Sequence, residues 1–166
     1  MNLLTTLLEQ VTLALITLCK WMLLVLGIAM TILILLQVFF RFVIYMPFPW
    51  SEEAARYLMI WMGMLGSVVA LDQGRHIGVD FFMDKLPARA GRILRILVQA
   101  AMAAFLALMF RQGVELCLFN VDQQSPAMEI SMLIPFGAIP VGCAMMVLVI
   151  VKNILVDLTS SPEVSQ

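Results

Sequence analysis

The sequence predicts an all-α integral membrane protein with four transmembrane helices and both termini in the cytoplasm. Three observations predict it. The 166 residues are 63% hydrophobic, with a mean hydropathy of +1.02. Charged residues make up 13% of the chain, about half the fraction in a soluble domain, and a soluble domain of this length has no interior large enough to hide so much apolar surface. The apolar residues also gather into four runs, each near the ~20 residues that cross a hydrocarbon core of about 30 Å as a helix. In lipid a helix is the form in which a lone segment satisfies its own backbone. The expected organisation is a single membrane domain over residues 1–166.

The first span runs from about Trp21 to Phe40, between Lys20 and Arg41, whose charges can both reach headgroups. Before it, Leu3 to Cys19 is apolar with Thr5, Thr6, Glu9, Gln10 and Thr12 interspersed. That stretch fits a helix lying in the interface and equally an extension of the first span into a long, tilted helix. Glu9, the lack of a basic leader and the length of the apolar region argue against a cleaved signal peptide. The second span runs from about Ala54 to Leu71, the third from about Ile93 to Phe110 and the fourth from about Ile130 to Val151.

Orientation follows from basic residues, which resist translocation. With the N-terminus inside, Lys20, Arg75, Lys85, Arg89, Arg92, Arg95 and Lys152 are cytoplasmic and only Arg41, Arg56 and Arg111 are outside.

Membrane helices associate through close packing at small residues. Gly63 with Ser67 and Gly66 with Ala70 suggest such a face on the second span. Ala100 with Ala104 and Ala103 with Ala107 do so on the third, and Gly137, Ala138 and Gly142 on the fourth. Pro135 and Pro140 each remove a backbone donor, so a kink is expected early in the fourth span. With no acid beside them, they read as a packing feature rather than an ion site. Cys19, Cys117 and Cys143 are scattered singly through apolar surroundings and read as small buried hydrophobes.

The polar residues cluster at the two ends of the second span. Ser51 is placed to cap it, with Glu52 and Glu53 in the first turn, where the helix dipole favours negative charge. Glu52 and Arg56 are spaced to pair at i, i+4. Helix capping explains that cluster but leaves over Pro47, Phe48, Pro49 and Trp50, a stiff aromatic lead-in that can dock another protein or sit in an interfacial belt. At the other end Asp72, Arg75, His76 and Asp80 surround Gly74 and Gly78, whose glycines predict a turn. One His and one Asp do not make a metal site. Arg75 and His76 suit lipid headgroups or an acidic neighbour, and Arg89, Arg92 and Arg95 add a basic stripe facing anionic lipid.

A carrier or pump normally places an ionisable side chain within the membrane where its ion passes. The interiors of the four spans hold none; Gln37 and Gln99 are their strongest polar groups. This argues against transport by the chain alone, and specifically against a proton-coupled exporter, which needs a carboxylate in its first span. A haem bundle needs facing histidines, and His76 stands alone. A thiol oxidase needs paired cysteines. The chain is therefore expected not to be an enzyme and to hold no cofactor. Its net charge of −1 gives no reason to expect nucleic acid.

Trp50 to Tyr57 (Trp-Ser-Glu-Glu-Ala-Ala-Arg-Tyr) and Arg75 to Asp80 (Arg-His-Ile-Gly-Val-Asp), ahead of Leu86-Pro87, resemble the small membrane subunit of tripartite ATP-independent periplasmic (TRAP) transporters. The specific part is about Pro49 to Pro87; the outer helices match in character only. The resemblance implies a three-part secondary transporter in the bacterial inner membrane. A periplasmic binding protein delivers an organic acid to a large membrane subunit that carries it inward with sodium, and the small subunit clamps the large one in a one-to-one heterodimer. Sodium coupling would belong to the large subunit. Carried over by position, Trp50, Ser51, Glu52, Glu53 and Arg56 match the family's outer motif, and Arg75, His76, Gly78 and Asp80 its inner one. The outer group is expected to order the second helix and touch a partner, the inner group to fix the following connection and hold a lipid headgroup. Two other functions stay open: a stand-alone oligomeric channel or carrier, and a membrane assembly factor. A C4-dicarboxylate, a sialic acid and another organic acid are equally compatible with this chain as the transported substrate.

Overall fold

The structure, a computed structural model, describes residues 3–46, 48–73 and 88–159. Helix α1 (Leu3–Phe39) continues into a π-helical segment (Phe40–Ile44). Helices α2 (Pro49–Asp72), α3 (Ala88–Phe119), α4 (Leu133–Phe136) and α5 (Ala138–Thr159) follow. Four stretches, Leu7–Ile44, Pro49–Asp72, Ile93–Phe119 and Leu133–Leu155, are long and apolar enough to cross a membrane. The chain is a multi-pass membrane protein.

Of the two arrangements open for the first twenty residues, the fold adopts the long helix. Thr12, Ile16 and Cys19, spaced by four and three residues on one face, are buried. Ile16 and Cys19 pack with Leu65, Val68 and Leu71 of α2 and Val149 and Ile150 of α5 in the main core. The Thr12 hydroxyl donates to the Leu8 carbonyl at 2.7 Å, so its burial leaves no unmet donor. A helix so packed does not lie flat on the membrane surface. With its π-helical extension α1 is roughly 60 Å long, twice a hydrocarbon core, so it runs beyond the core or crosses it steeply tilted. It closes at Tyr45, whose left-handed backbone (φ 59°) turns the chain, and Met46 N–H donates to the Phe40 carbonyl at 3.1 Å.

Contacts along the helices set their directions. Gly27 faces Met62 and Gln37 faces Glu52, so α1 and α2 are antiparallel. Gly142 meets Met64 and Lys152 meets Asp72, so α2 and α5 are parallel. The first residues of α1 and the last of α5 therefore share one end of the bundle, the terminal end; the α3–α4 connection lies at the other, the loop end. Helix α5 packs against α3, α2 and α1, and α1 packs against α2, whereas the α2 and α3 backbones do not approach each other closely among the described residues.

The close approaches differ from those the small-residue pattern suggests. Gly142 does mark one: a methyl there would lie 2.7 Å from Met64 Cε and 3.0 Å from Met64 Cβ. Gly137 is tight as well, a Cβ there lying 2.8 Å from the Leu133 carbonyl oxygen, and a further approach is at Gly113, where a Cβ would lie 3.0 Å from Pro140 Cδ and 3.2 Å from Pro140 N. Gly63 and Gly66 have no such neighbour within 4 Å, so within this chain their face borders open space. Spacing reveals where a helix is narrow, but a contact also needs a knob opposite, here Met64 and Pro140. The kink expected early in the fourth span appears as the break at Gly137 between α4 and α5. Its prolines serve packing: Pro135 is buried and Pro140 seats against Gly113. All three cysteines are buried.

At the terminal end Lys152 Nζ and an Asp72 carboxylate oxygen are 2.8 Å apart, both side chains about four-fifths buried. Breaking the pair with Asp72→Ala leaves a largely buried ammonium without its carboxylate and is expected to cost about 1–3 kcal/mol. Asp72→Ala with Lys152→Met should recover much of the loss. Denaturation of the purified chain in detergent checks both.

Candidate functional site

The site lies at the loop end, where α2 begins. Pro49 opens that helix, its fixed φ and missing N–H suiting the first turn. The cap residue is Phe48, which makes no side-chain cap bond. Ser51, expected to be the cap, lies inside the first turn and is buried. Its hydroxyl donates to the Phe48 carbonyl at 2.7 Å instead of accepting from a free N–H. The reason is that Pro49 starts the helix three residues earlier than the polar pattern indicates.

Glu52 and Arg56 do not form the expected i, i+4 pair. The ion pairs among the described residues are Arg111–Glu115 and Lys152–Asp72. Glu52 instead accepts from Gln37 Nε2 at 3.3 Å, joining α1 to α2. Trp50 is partly exposed, and its ring follows Phe40 and Phe48 in an aromatic row with centroids 4.5 and 5.9 Å apart. Trp50, Glu52 and Arg56 thus lie at the surface.

Glu53 has the most contacts of the motif. One carboxylate oxygen accepts from the Tyr57 hydroxyl at 2.6 Å. The other accepts from the Ser125 hydroxyl at 3.0 Å, Ala127 N–H at 3.0 Å and Met128 N–H at 2.9 Å. Ser125 is buried. Charge-assisted bonds of this kind are the stronger class, and the carboxylate gathers donors that a turn would otherwise leave to water.

The loop so held is itself ordered by the chain around it. Ser125 N–H donates to the Ile130 carbonyl at 2.8 Å, and Met132 N–H to the Gln123 carbonyl at 2.9 Å, closing an isolated antiparallel bridge between Gln124 and Ser131. Glu129 takes a left-handed backbone (φ 54°) at the turn. Ser131 Oγ donates to the Val121 carbonyl and accepts from Leu133 N–H at the start of α4. Farther along α2, Trp61 Nε1 donates to the Ile134 carbonyl at 3.1 Å. Glu53, Tyr57 and Trp61, at i, i+4 and i+8, therefore form a ladder on one face of α2 that grips 125–134.

Of the inner motif, Arg75, His76, Gly78 and Asp80 lie outside the described residues. Arg89 and Arg92 fall in the first turns of α3. The sequence reading missed Ser125, Trp61 and the central part of Glu53. The spacing of Glu53, Tyr57 and Trp61 was a usable signal for a shared face; their partners, more than 70 residues away, were not.

Among the described residues, the core that joins α1, α2 and α5 consists of apolar side chains and Cys19, and no group of three or more His, Cys, Asp or Glu is placed to hold a metal. Among the described residues, the polar network centred on Glu53 braces a loop. Such a molecule is a multi-pass helical membrane protein. A family model described as "Tripartite ATP-independent periplasmic transporters, DctQ component" matches residues 30–160. The chain belongs to this family, and it is a component of a transporter rather than an enzyme.

Relatives agree. The chain is similar to the isethionate TRAP transporter permease protein DctMQ of Oleidesulfovibrio alaskensis, 30% identical over 63% of this chain and 17% of that one. It is similar to the C4-dicarboxylate TRAP transporter small permease protein DctQ of Rhodobacter capsulatus, 28% identical over 58% of this chain and 44% of the relative. The sialic acid TRAP transporter small permease protein SiaQ of Vibrio cholerae is 39% identical over 32% of this chain and 31% of its own length. The matched region spans less than half of each of these relatives.

Proposed function

We propose that this chain is the small, non-catalytic membrane subunit of a sodium-coupled TRAP transporter for organic acids in the bacterial inner membrane. In this reading it pairs one-to-one with a large membrane subunit, clamps it, and supports delivery from a periplasmic binding protein. The observation that carries the reading is the apolar packing where α1, α2 and α5 meet. A substrate carboxylate or a sodium ion passing there would need polar partners, and the core holds hydrocarbon side chains and one thiol. Transport would therefore run through another protein, with this one as its frame.

Both termini share one end of the bundle, and the excess of Lys and Arg on the segments at that end supports a cytoplasmic placement. The loop end would then face the periplasm, with the loop braced by Glu53 beside exposed Trp50 and Arg56 as the partner surface. Arg56→Ala with Trp50→Ala removes an exposed cation and a half-exposed ring whose packing contact is with Phe48. The expected result is a melting temperature lowered by a few degrees at most, with several-fold poorer recovery of the large subunit on a tagged small one.

The decisive test co-expresses the chain with the large permease and purifies through a tag on this chain. Sodium-driven uptake is then measured in liposomes, with the binding protein outside and with and without this chain. A one-to-one complex whose uptake requires this chain is expected. Uptake by this chain alone would establish an independent channel or carrier, and co-purification with an unrelated enzyme an assembly factor.

A further inference from the structure

Helix α3 carries the third span beyond the Phe110 that hydropathy suggested, and the stretch long and apolar enough to cross a membrane runs Ile93–Phe119. Arg111 and Glu115 therefore lie inside it. Their depth follows from the contacts that fix the helix levels. Gly113, between them in sequence, seats on Pro140, and Gly27 faces Met62. Gly142, about 3 Å farther toward the terminal end than Pro140, meets Met64. Gly113 is thus level with Met62, about 20 Å from Pro49 and about 15 Å from Asp72 along α2. On α1 the same level is Gly27, about 10 Å from Lys20 and about 20 Å from Arg41. Arg111 and Glu115 straddle the middle of the bundle.

The two side chains point outward. They are 75% and 53% exposed, on the side of α3 opposite Gly113, with exposed Gln112 beside them. Exposed apolar side chains flank them along the helix, Leu108 and Phe110 toward the terminal end and Leu118 and Phe119 toward the loop end, so this is not a helix end standing in water. Arg111 Nε donates to a Glu115 carboxylate oxygen at 3.0 Å, which neutralises the charge. Arg before Glu is the weaker order for an i, i+4 pair, so helix stability does not account for it. Among the described residues the guanidinium makes no other hydrogen bond. The N–H groups of both its terminal nitrogens are left over at a depth where lipid supplies no acceptor. We propose that this face of α3 is buried against a transmembrane segment of the large permease, which presents a carboxylate or carbonyl oxygen to the Arg111 guanidinium at mid-depth. The inference rests on the pairing with that subunit and adds to the loop-end surface a contact within the membrane.

The complex purified through a tag on this chain tests it, with the chain purified alone as the control. Arg111→Leu with Glu115→Leu removes both charges at once and suits a lipid-facing surface. The doubly substituted chain alone should melt where the wild type does or higher, since an exposed ion pair contributes little. Its recovery of the large permease should fall about tenfold, the worth of one charge-assisted hydrogen bond. Arg111→Gln should cost more of that recovery than Glu115→Gln, because the unmet donors are on the guanidinium. A photo-crosslinking residue at position 112 should form its adduct with the large permease. Wild-type recovery by the double variant, or an adduct at 112 with lipid or with a second copy of this chain, would overturn the proposal while leaving the pairing of the subunits intact. A wild-type chain that recovers no permease would remove both.

Discussion

Glu53→Ala should abolish most of the uptake supported by this chain while leaving its helices in place. The substitution strips the acceptor from Ser125, Ala127 and Met128 at once, together with the Tyr57 bond that aims the carboxylate. A turn that loses its anchor opens to water, so amide hydrogen exchange at Ala127 and Met128 should rise from protected to loop-like rates. Glu53→Gln keeps one acceptor oxygen and should fall between the two. Glu52→Ala removes a single 3.3 Å bond to Gln37 and should do far less, although Glu52 is the more exposed of the two. If Glu52→Ala matched Glu53→Ala in both uptake and exchange, the loop brace would not be the functional feature of this motif.

Gly142→Leu should destabilise the bundle by about 1–3 kcal/mol or more, the usual cost of overpacking. The flexible Cε of Met64 can give way to a new Cβ, but Met64 Cβ at 3.0 Å is bonded directly to the α2 backbone and moves only with the helix. Gly113→Ala meets the Pro140 ring and backbone nitrogen and has as little freedom. The informative control is Gly66→Ala, with no side-chain neighbour within 4 Å of the new methyl. It should be neutral or stabilise by up to ~1 kcal/mol through helix propensity alone. Unfolding in mixed detergent, followed by tryptophan fluorescence, ranks the three. Equal losses at positions 66 and 142 would mean that the observed helix contacts do not govern stability.

These two predictions rest on different kinds of information. The segment from Trp50 to Tyr57 stood out by its residues, because charges at the head of a membrane helix are costly unless they have a use. Which glutamate reaches the distant loop was not legible: Glu52 and Glu53 are adjacent and chemically alike, and only the return of residues 125–128 to α2 separates them. Ser51 shows the limit of local rules in another way, since its capping signature was real but Pro49 had already started the helix. Gly63 and Gly66 looked like a packing face and border open space; Gly113 was not singled out and makes one of the tightest approaches.

By itself the sequence determined the class of the protein, the existence of four spans and the shared side of the termini. Each follows from hydropathy and charge, which act residue by residue against the bilayer. The tertiary structure alone decided that Leu3–Cys19 joins the bundle, that α5 stands between α2 and α3, that Met64 and Pro140 face glycines, and that Glu53 holds a loop more than 70 residues away. Those depend on which surfaces meet, and in lipid, where hydrophobic expulsion cannot choose partners, shape and a few directed hydrogen bonds make that choice.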